Sequence, residues 1–257
     1  MIPEIGLIGG TDSSGGAGLQ ADIETCSSIN CRSFPVISAI TSQAHNQQFQ
    51  ITPVPRGGFS SQMDSLLLRT IDTIKIGMLP DADAVQGVHQ FLQRTVPKKV
   101  ILDPVQKTSS GYRLISYEGW DRMIDLLLPD VDLLTPNLQE AHYLLGIDPK
   151  KKIPPFELAK RCLDLGPKAV LIKGGHTNHP QICQDLLLGV NIQTTFFTHQ
   201  KQEGGTHIRG TGCRLGTAIA CYWAKKENLV RSIELAQSFL QNYIQKQLPL
   251  SAKSFSN

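Results

Sequence analysis

The sequence predicts an α/β domain in which a central, mainly parallel sheet carries helices on both faces. Short apolar runs rich in Val, Ile and Leu alternate with amphipathic helical segments almost from end to end. Such alternation is typical of βαβ units, because parallel strands have to be joined by crossover helices. The chain has 257 residues, of which 40% are hydrophobic, and this supplies enough apolar surface for one large core. We therefore expect a single domain over residues 1–250, followed by a polar tail, SAKSFSN, over 251–257.

The first half of the chain supplies strands and helices in strict alternation. The strands are apolar runs bounded by Gly, Pro or charged residues, and the helices have apolar residues three and four positions apart. Strands are predicted over 4–9, 34–41, 72–79 and 98–105, and helices over 15–30, 57–70 and 81–94. The last of these helices begins with acidic residues, which interact favourably with the positive end of the helix dipole.

The second half continues the alternation and ends with two helices. Strands are predicted over 131–137 and 168–175, a pair of strands over 183–199, and helices over 118–129, 137–146, 155–166, 211–226 and 229–247. Pro129, Gly146 and Gly166 mark helix ends, because proline cannot continue a helix and glycine tolerates the left-handed backbone that follows one.

Composition excludes several classes of function. The net charge is +3, and the one dense basic run, at 150–152, lies beside prolines as in a solvated loop, so we expect no nucleic-acid-binding surface. The sequence has no apolar run of about 18 residues, and its N-terminus lacks a signal peptide's basic start and apolar core. We therefore expect a cytoplasmic protein that does not enter a membrane. The six cysteines form no CxxC pair; five lie in apolar stretches and are expected to be buried thiols, whereas Cys213 lies at a loop–helix junction.

The carboxyl ends of the strands should carry the functional residues, because ligands of parallel α/β sheets bind there. The first such end, GGTDSSGGAGLQAD at 9–22, contains five glycines, which let a ligand approach the backbone closely. Residues 16–21 match G-x-G-x-x-A, but the second strand ends without the acidic residue that a dinucleotide site requires, and no Gly-Lys-Ser/Thr follows for a P-loop. Asp22 and Gln43 together can read a heterocycle that carries ring nitrogens and an amino group. The alternative is that each is a cap or turn residue.

Oxygen ligands follow two later strands. Asp103 follows the strand at 98–102, while Asn137 and Glu140 follow the strand at 131–135. This set suits Mg²⁺, which keeps several waters and bridges phosphates. Asn137 and Glu140 also match a capping box, and the two roles are compatible. Lys173 ends the next strand beside two glycines, as expected for a phosphate contact.

The segment GTGC at 210–213 runs directly into a predicted helix. The amides of Gly210, Gly212 and Cys213 can converge on one anion at the start of that helix and stabilise a transferring phosphoryl group. The same field predicts a lowered pKa for the Cys213 thiol, which makes it a proton acceptor for a substrate hydroxyl. Two alternatives are a nucleophilic cysteine paired with His176 or His207, neither of which has a diagnostic spacing, and a thiol that only packs.

These motifs, in this order, resemble the ribokinase-like superfamily and, more narrowly, the hydroxymethylpyrimidine/phosphomethylpyrimidine kinases of thiamin biosynthesis. The matching segments are 10–22, KIGML at 75–79, LDPV at 102–105, SSG at 109–111, LTPNLQEA at 134–141, KGGH at 173–176 and GTGC at 210–213. The resemblance implies a ribokinase-like fold, often dimeric. It also implies phosphorylation of 4-amino-5-hydroxymethyl-2-methylpyrimidine, and then of its monophosphate, with ATP and Mg²⁺.

The resemblance also assigns individual residues. It implies that Cys213 is catalytic, at a position where other members of the superfamily have Asp, and that Gly210, Thr211 and Gly212 form the anion hole. The pyrimidine would be contacted by Asp22 and Gln43 and enclosed by Gly10, Met78 and Val105. The Mg-ATP side would comprise Asp103, Glu140, Asn137 and Lys173, with Asp103 and Glu140 toward the metal.

Several positions depart from the family pattern. Arg209 stands where the family commonly has His, and Arg214 where it has Thr; Gln106 and Lys107 replace the end of DPVMV, and Ala44 replaces an Asn. The two arginines predict extra positive charge beside the anion hole, and we assign Arg209 to the ATP side. Two other functions stay open from sequence: a pyridoxal kinase on the same scaffold, and a non-catalytic pyrimidine or nucleotide sensor.

Overall fold

Nine strands form one sheet in the computed structural model, which describes residues 2–44, 47–108, 111–174, 181–202 and 208–254. Side chains are described for all of these except 43, 44, 47–49 and 249–254. The strands are β1 Glu4–Asp12, β2 Arg32–Ala44, β3 Gln47–Pro53, β4 Thr73–Ile76, β5 Lys99–Leu102, β6 Leu133–Leu134, β7 Ala169–Ile172, β8 Ile182–Gly189 and β9 Ile192–Gln200. Their order across the sheet is β3-β2-β1-β4-β5-β6-β7-β8-β9.

The middle of the sheet is parallel and its two sides are antiparallel. Strands β2, β1, β4, β5, β6 and β7 pair in parallel, whereas β3 pairs antiparallel with β2, and β8 and β9 continue antiparallel from β7. The carboxyl ends of the six parallel strands therefore share one edge, which we call the carboxyl edge. The register between β1 and β2 shifts at Gly9 and Gly10, where β1 reaches that edge.

Eight α-helices accompany the strands in these described ranges. They are α1 Gly18–Ser28, α2 Arg56–Leu66, α3 Ala82–Thr95, α4 Tyr117–Arg122, α5 Leu138–Leu144, α6 Pro155–Leu163, α7 Thr211–Ala224 and α8 Leu229–Ser254. After α4 the chain continues as a π-helical turn over Met123–Leu127 and a 3₁₀ turn over Leu128–Asp130, so the helix predicted over 118–129 is divided. The Asp81 side chain caps α3 by accepting from the Ala84 amide, as its acidic start predicts.

The sheet separates two apolar cores, so the predicted α/β class with helices on both faces is confirmed. One core is formed with α2 to α6 and includes Ile74, Ile76 and Leu102; the other is formed with α1, α7 and α8. Burial of this kind contributes roughly 25 cal/mol for each Å² of apolar surface removed from water. Between Ile74 and Ile76, the side chain of Lys75 enters the α1–α7 side.

The structure extends the predicted elements in two places. Strand β3 was not predicted, because its sequence, QQFQITP, is mostly polar and ends in proline. Helix α8 continues through Ser254, so the first four residues of the predicted tail are helical; the domain boundary at 250 stays a prediction. Five cysteines are buried and Cys213 is half-buried, as expected. In the part of the chain that the structure describes, no helix is both long and apolar enough to cross a membrane.

Candidate active site at the carboxyl edge of the sheet

Helices α1 and α7 lie side by side and begin together at the carboxyl edge. The amide of Gly18 donates a hydrogen bond to the Cys213 thiol. One turn further along, Thr217 Oγ1 donates to Asp22 Oδ1 at 2.7 Å. Another turn along, the Cys221 and Cys26 sulfurs are 3.5 Å apart. Residues four apart share one face of a helix, so these three pairs join matching faces of two parallel helices.

The first turn of α7 presents backbone donors to the edge. Its N-cap, Gly210, has φ +72°, and a Cβ there would overlap the carbonyl oxygen of Gly16, so the glycine-rich loop packs directly against the helix start. The first amides of a helix have no acceptor within it. Among the described residues, none supplies an acceptor to the amides of Thr211, Gly212 or Cys213. The predicted anion-binding geometry is therefore present at this helix start.

A cation lies close to these amides. Lys173 Nζ is 2.6 Å from Asp103 Oδ1 and 3.8 Å from Glu140 Oε2. A Cβ on Gly212 would be 3.5 Å from that ammonium and 3.8 Å from Asp103 Oδ2, which places the pair against the start of α7. Burial alone would lower the pKa of Lys173, but the carboxylates of Asp103 and Glu140 raise it above its usual value. The lysine is held charged where a phosphate would bind.

Two buried carboxylates complete this side. Thr135 Oγ1 donates to Asp103 Oδ1 at 3.2 Å, leaving Oδ2 toward α7. Asn137 and Glu140 form the predicted capping box, with bonds of 2.7 and 2.8 Å. Burial is the main cause that raises the pKa of Glu140 to about 7, against the lowering effect of Lys173. A divalent cation at this carboxylate would therefore displace a proton near neutral pH.

The chemical state of Cys213 differs from the prediction. Burial raises the pKa of its thiol; the charge of Lys75 and the Gly18 amide act in the lowering direction, and the charges of Asp22 and Asp103 act with burial. The predicted lowering of this pKa is therefore wrong. The helix dipole is outweighed because the loop at 9–17 and α1 cover the thiol.

Behind the thiol lies an ion pair that sequence reasoning missed. Lys75 Nζ is 2.8 Å from Asp22 Oδ2, and both side chains are at most 2% exposed. Asp22, predicted to contact a pyrimidine, thus has its two oxygens bonded to Lys75 and Thr217. Direct contact with a ring would require this arrangement to open, and the assignment stays a prediction. The available signal was a lysine inside TIKI, an otherwise apolar strand at the centre of a parallel sheet.

The predicted pyrimidine pocket is partly assembled. Gly10 faces Met78 so closely that a Cβ on Gly10 would be 2.7 Å from Met78 Sδ. Ser38 Oγ fixes the backbone by donating to Met78 O at 2.6 Å. Val105 follows β5, half-buried, with its amide bonded to Asp103 O at 2.9 Å. Gln43 lies in β2, but its side chain is outside the described residues, as are His176 and His207.

The two arginines do not supply paired cations at the anion hole. Arg209 Nη1 donates to Ser14 Oγ at 3.1 Å, and its Nη2 is 3.6 Å from Asp12 Oδ2, so it braces the glycine-rich loop. Arg214 is buried away from the helix start: it pairs with Glu24 at 2.8 Å and stacks on Tyr243. The expectation of extra charge beside the anion hole is therefore wrong for Arg214.

The other departures also have local partners. Lys107 lies over the ring of Tyr143 and donates to its hydroxyl at 3.2 Å. Gln106 is 3% exposed, and its Oε1 has no partner among the residues described here. Ala44 pairs with Gln47 in the β2–β3 ladder. None of these three is in the phosphate-side cluster around Lys173.

Comparison with known proteins agrees with this geometry. A family model described as phosphomethylpyrimidine kinase matches residues 12–256. A hydroxymethylpyrimidine/phosphomethylpyrimidine kinase of Haemophilus influenzae is 33% identical over 243 residues, covering 93% of this chain and 90% of that protein.

Solved structures show the same relationship. The phosphomethylpyrimidine kinase of Clostridium difficile superposes with a TM-score of 0.79 at 31% identity, over 95% of this chain and 100% of that one. A Staphylococcus aureus pyridoxal kinase in complex with AMP-PCP and pyridoxal gives 0.82 at 26% identity, over 94% and 87%. The fold is thus that of ribokinase-like vitamin kinases, and with a family model that spans nearly its whole length, this chain belongs to the phosphomethylpyrimidine kinase family.

Proposed function

We propose that this site transfers a phosphoryl group from Mg-ATP to the hydroxymethyl group of 4-amino-5-hydroxymethyl-2-methylpyrimidine, to its monophosphate, or to both. The observation that carries the proposal is the meeting of the α7 amides with Lys173 and Asp103 within a few ångströms of Gly212. Phosphoryl transfer needs positioned donors and cations more than covalent chemistry.

The phosphate side divides its work among named residues. The amides of Thr211, Gly212 and Cys213 would bind the oxygens of the migrating group, and Lys173 would bind an adjacent phosphate. Asp103 and Glu140 fit Mg²⁺, because two carboxylates near a phosphate site are its usual protein ligands. When bound, Mg²⁺ neutralises charge on the phosphates. Asn137 holds Glu140 in place through the capping box. Arg209 stays assigned to the ATP side as a prediction, acting through the glycine-rich loop.

Cys213 would accept the proton of the attacking hydroxyl. The thiolate is the competent form, and a raised pKa keeps the thiol largely protonated near neutral pH. The rate should therefore increase as the pH rises toward that pKa. The ring would lie over Gly10 and Met78 with Val105 beside it, and Gln43 would read its ring nitrogen and amino group.

One assay tests the proposal. Purified protein is incubated with Mg-ATP and either the pyrimidine, its monophosphate or pyridoxal, and ADP release is followed with product identified by mass. Turnover on one or both pyrimidines above pyridoxal is expected. Cys213→Ala should lower it by ~10²–10⁴-fold, the usual contribution of a positioned base. An unchanged rate in that variant would remove Cys213 from the mechanism.

Pyridoxal kinase activity is the second candidate, and the structural match to a kinase bound to AMP-PCP and pyridoxal favours it. Both substrates are heteroaromatic hydroxymethyl compounds, so the same phosphate side serves either. The sensor hypothesis loses support, because Arg214 lies in the α1–α8 packing rather than at the phosphate site.

We further propose a cytoplasmic homodimer. The family resemblance supports the dimer, and the need for ATP supports the compartment. Sedimentation equilibrium across a hundredfold range of protein concentration would give the mass; a monomer throughout would contradict the dimer.

A further inference from the structure

Lys75 is an unusual residue for its place in the fold. It lies in β4, at the centre of the parallel sheet, with a side chain only 1% exposed. An isolated ammonium in such a place is unfavourable unless it is paired and hydrogen-bonded. Asp22 Oδ2 supplies the pair at 2.8 Å, and Thr217 satisfies the other oxygen of that carboxylate. The lysine is therefore maintained in its charged form at a cost in desolvation.

The ammonium lies beneath the face of α7 that carries Cys213. A Cβ on Gly216 would be 3.7 Å from Lys75 Cε, and one on Gly77 would be 3.0 Å from Nζ. Thr217, which bonds the partner of Lys75, is one helical turn from Cys213. On α1, Asp22 is likewise one turn from Gly18, whose amide bonds the thiol. The ion pair and the thiol therefore occupy successive levels of the same helix pair.

Charged groups face the thiol from four elements. They are Lys75 on β4, Asp22 on α1, Asp103 after β5 and Lys173 after β7. Two of the four are negative and oppose thiolate formation, as burial does. Lys173 is paired with Asp103 and Glu140 and lies on the phosphate side. Lys75 thus supplies positive charge from the side opposite the phosphates.

We propose that Lys75 is a positioning residue for phosphoryl transfer: its buried ammonium, held by Asp22, stabilises the thiolate of Cys213 without touching substrate. The inference rests on the proposed function. In the step, the substrate O–H proton passes to the sulfur, the oxygen forms a bond to the γ-phosphorus, and the bond from that phosphorus to the bridging oxygen breaks to release ADP. The thiol then returns its proton to solvent.

The test removes the charges while keeping the shape. Lys75→Met alone would leave Asp22 buried without a cation and is prone to misfold. The informative protein is therefore Lys75→Met/Asp22→Asn, in which the carboxamide oxygen introduced on α1 can still accept from Thr217. The first readout is the pH dependence of Cys213 alkylation by iodoacetamide, followed by peptide mass and measured well below the unfolding midpoint. We expect its midpoint to move up by about one pH unit or more, a tenfold loss of thiolate per unit.

The second readout separates a catalytic effect from a structural one. We expect kcat at pH 7.5 to fall about tenfold or more while KM for ATP changes less than about twofold, because the phosphate side keeps Lys173. The matched control is Lys168→Met/Asp132→Asn, which removes a 2.7 Å ion pair at the amino ends of β6 and β7. It should leave the alkylation midpoint of Cys213 in place.

The outcomes distinguish the two proposals. Turnover on the pyrimidine with an unshifted alkylation midpoint in Lys75→Met/Asp22→Asn would overturn the role of Lys75. A shifted midpoint in a chain whose wild-type form phosphorylates neither pyrimidine would uphold the effect on the thiol and overturn only the kinase assignment.

Discussion

At the scale of single residues, Cys213 illustrates how local and distant effects compete. Its position at a helix start favours the thiolate, and this was the basis of the sequence prediction. Burial under the glycine-rich loop outweighs that preference and raises its pKa. The sequence identified the residue and its neighbours in GTGC, but the sign of its pKa shift depended on packing against segments far away in the chain, which local sequence does not encode.

This raised pKa predicts the shape of the pH–rate profile. For wild-type protein, kcat should rise with pH through and above neutrality, because the thiolate fraction grows. In Cys213→Asp the ascending limb should move down by about two pH units or more, because a carboxyl group has an ordinary pKa near ~4 and a thiol near ~8.5. Steady-state kinetics from about pH 5 to pH 10 measures both profiles. Superimposable limbs in the two proteins would assign the ionisation to another group.

At the scale of elements, the start of α7 is positioned by backbone contact. Gly210 adopts φ +72°, and the carbonyl oxygen of Gly16 occupies the space a side chain would need. The amides that follow can converge only if the glycine-rich loop approaches this closely. Helix N-termini and their glycines are visible in sequence, so this part of the site was predictable. The contact between residues 16 and 210 was not, because it joins distant segments.

Gly210→Ala should therefore damage both stability and activity. The left-handed backbone alone costs a residue with a Cβ about 1–2 kcal/mol, and overlap with the Gly16 carbonyl should add to this by pushing the loop from α7. Gly146→Ala is the matched control, since Gly146 has φ +63° and nothing within 4 Å of the added Cβ. Urea denaturation and kcat would be compared. Equal losses of stability in the two variants, with activity kept, would show that the loop contact is dispensable.

At the scale of the whole molecule, the parallel core was predictable and the sheet margins were not. Strands buried on both faces read as continuous apolar runs, and this identified β1, β4, β5 and β7 directly. Strand β3 lies at a margin, where one side of the ladder is unpaired and the polar sequence QQFQITP suffices. Lys75 was overlooked for the converse reason: its partner Asp22 lies 53 residues away, and only the crossover topology brings them together.

Because the site is assembled from the ends of many strands, ligands should stabilise the entire fold. A ligand that binds only the native state at a hundredfold excess over its Kd adds about 2.7 kcal/mol, equivalent to a rise in Tm of roughly 5–10 °C for a chain of this size. We expect Mg-ATP to raise Tm in this range in wild-type protein and by less than half as much in Lys173→Met. Differential scanning fluorimetry measures both. Equal shifts would place the nucleotide away from Lys173.

The three pairs between α1 and α7 all join residues separated by the same distance along the chain, 195 positions. Removing or adding one residue within either helix would rotate everything after it by about 100° and slide it by about 1.5 Å. The hydroxyl, the carboxylate and the sulfurs would then all face the wrong neighbours at once. In these two segments the lineage can exchange side chains one at a time, but it cannot change their length without rebuilding the catalytic end of the molecule.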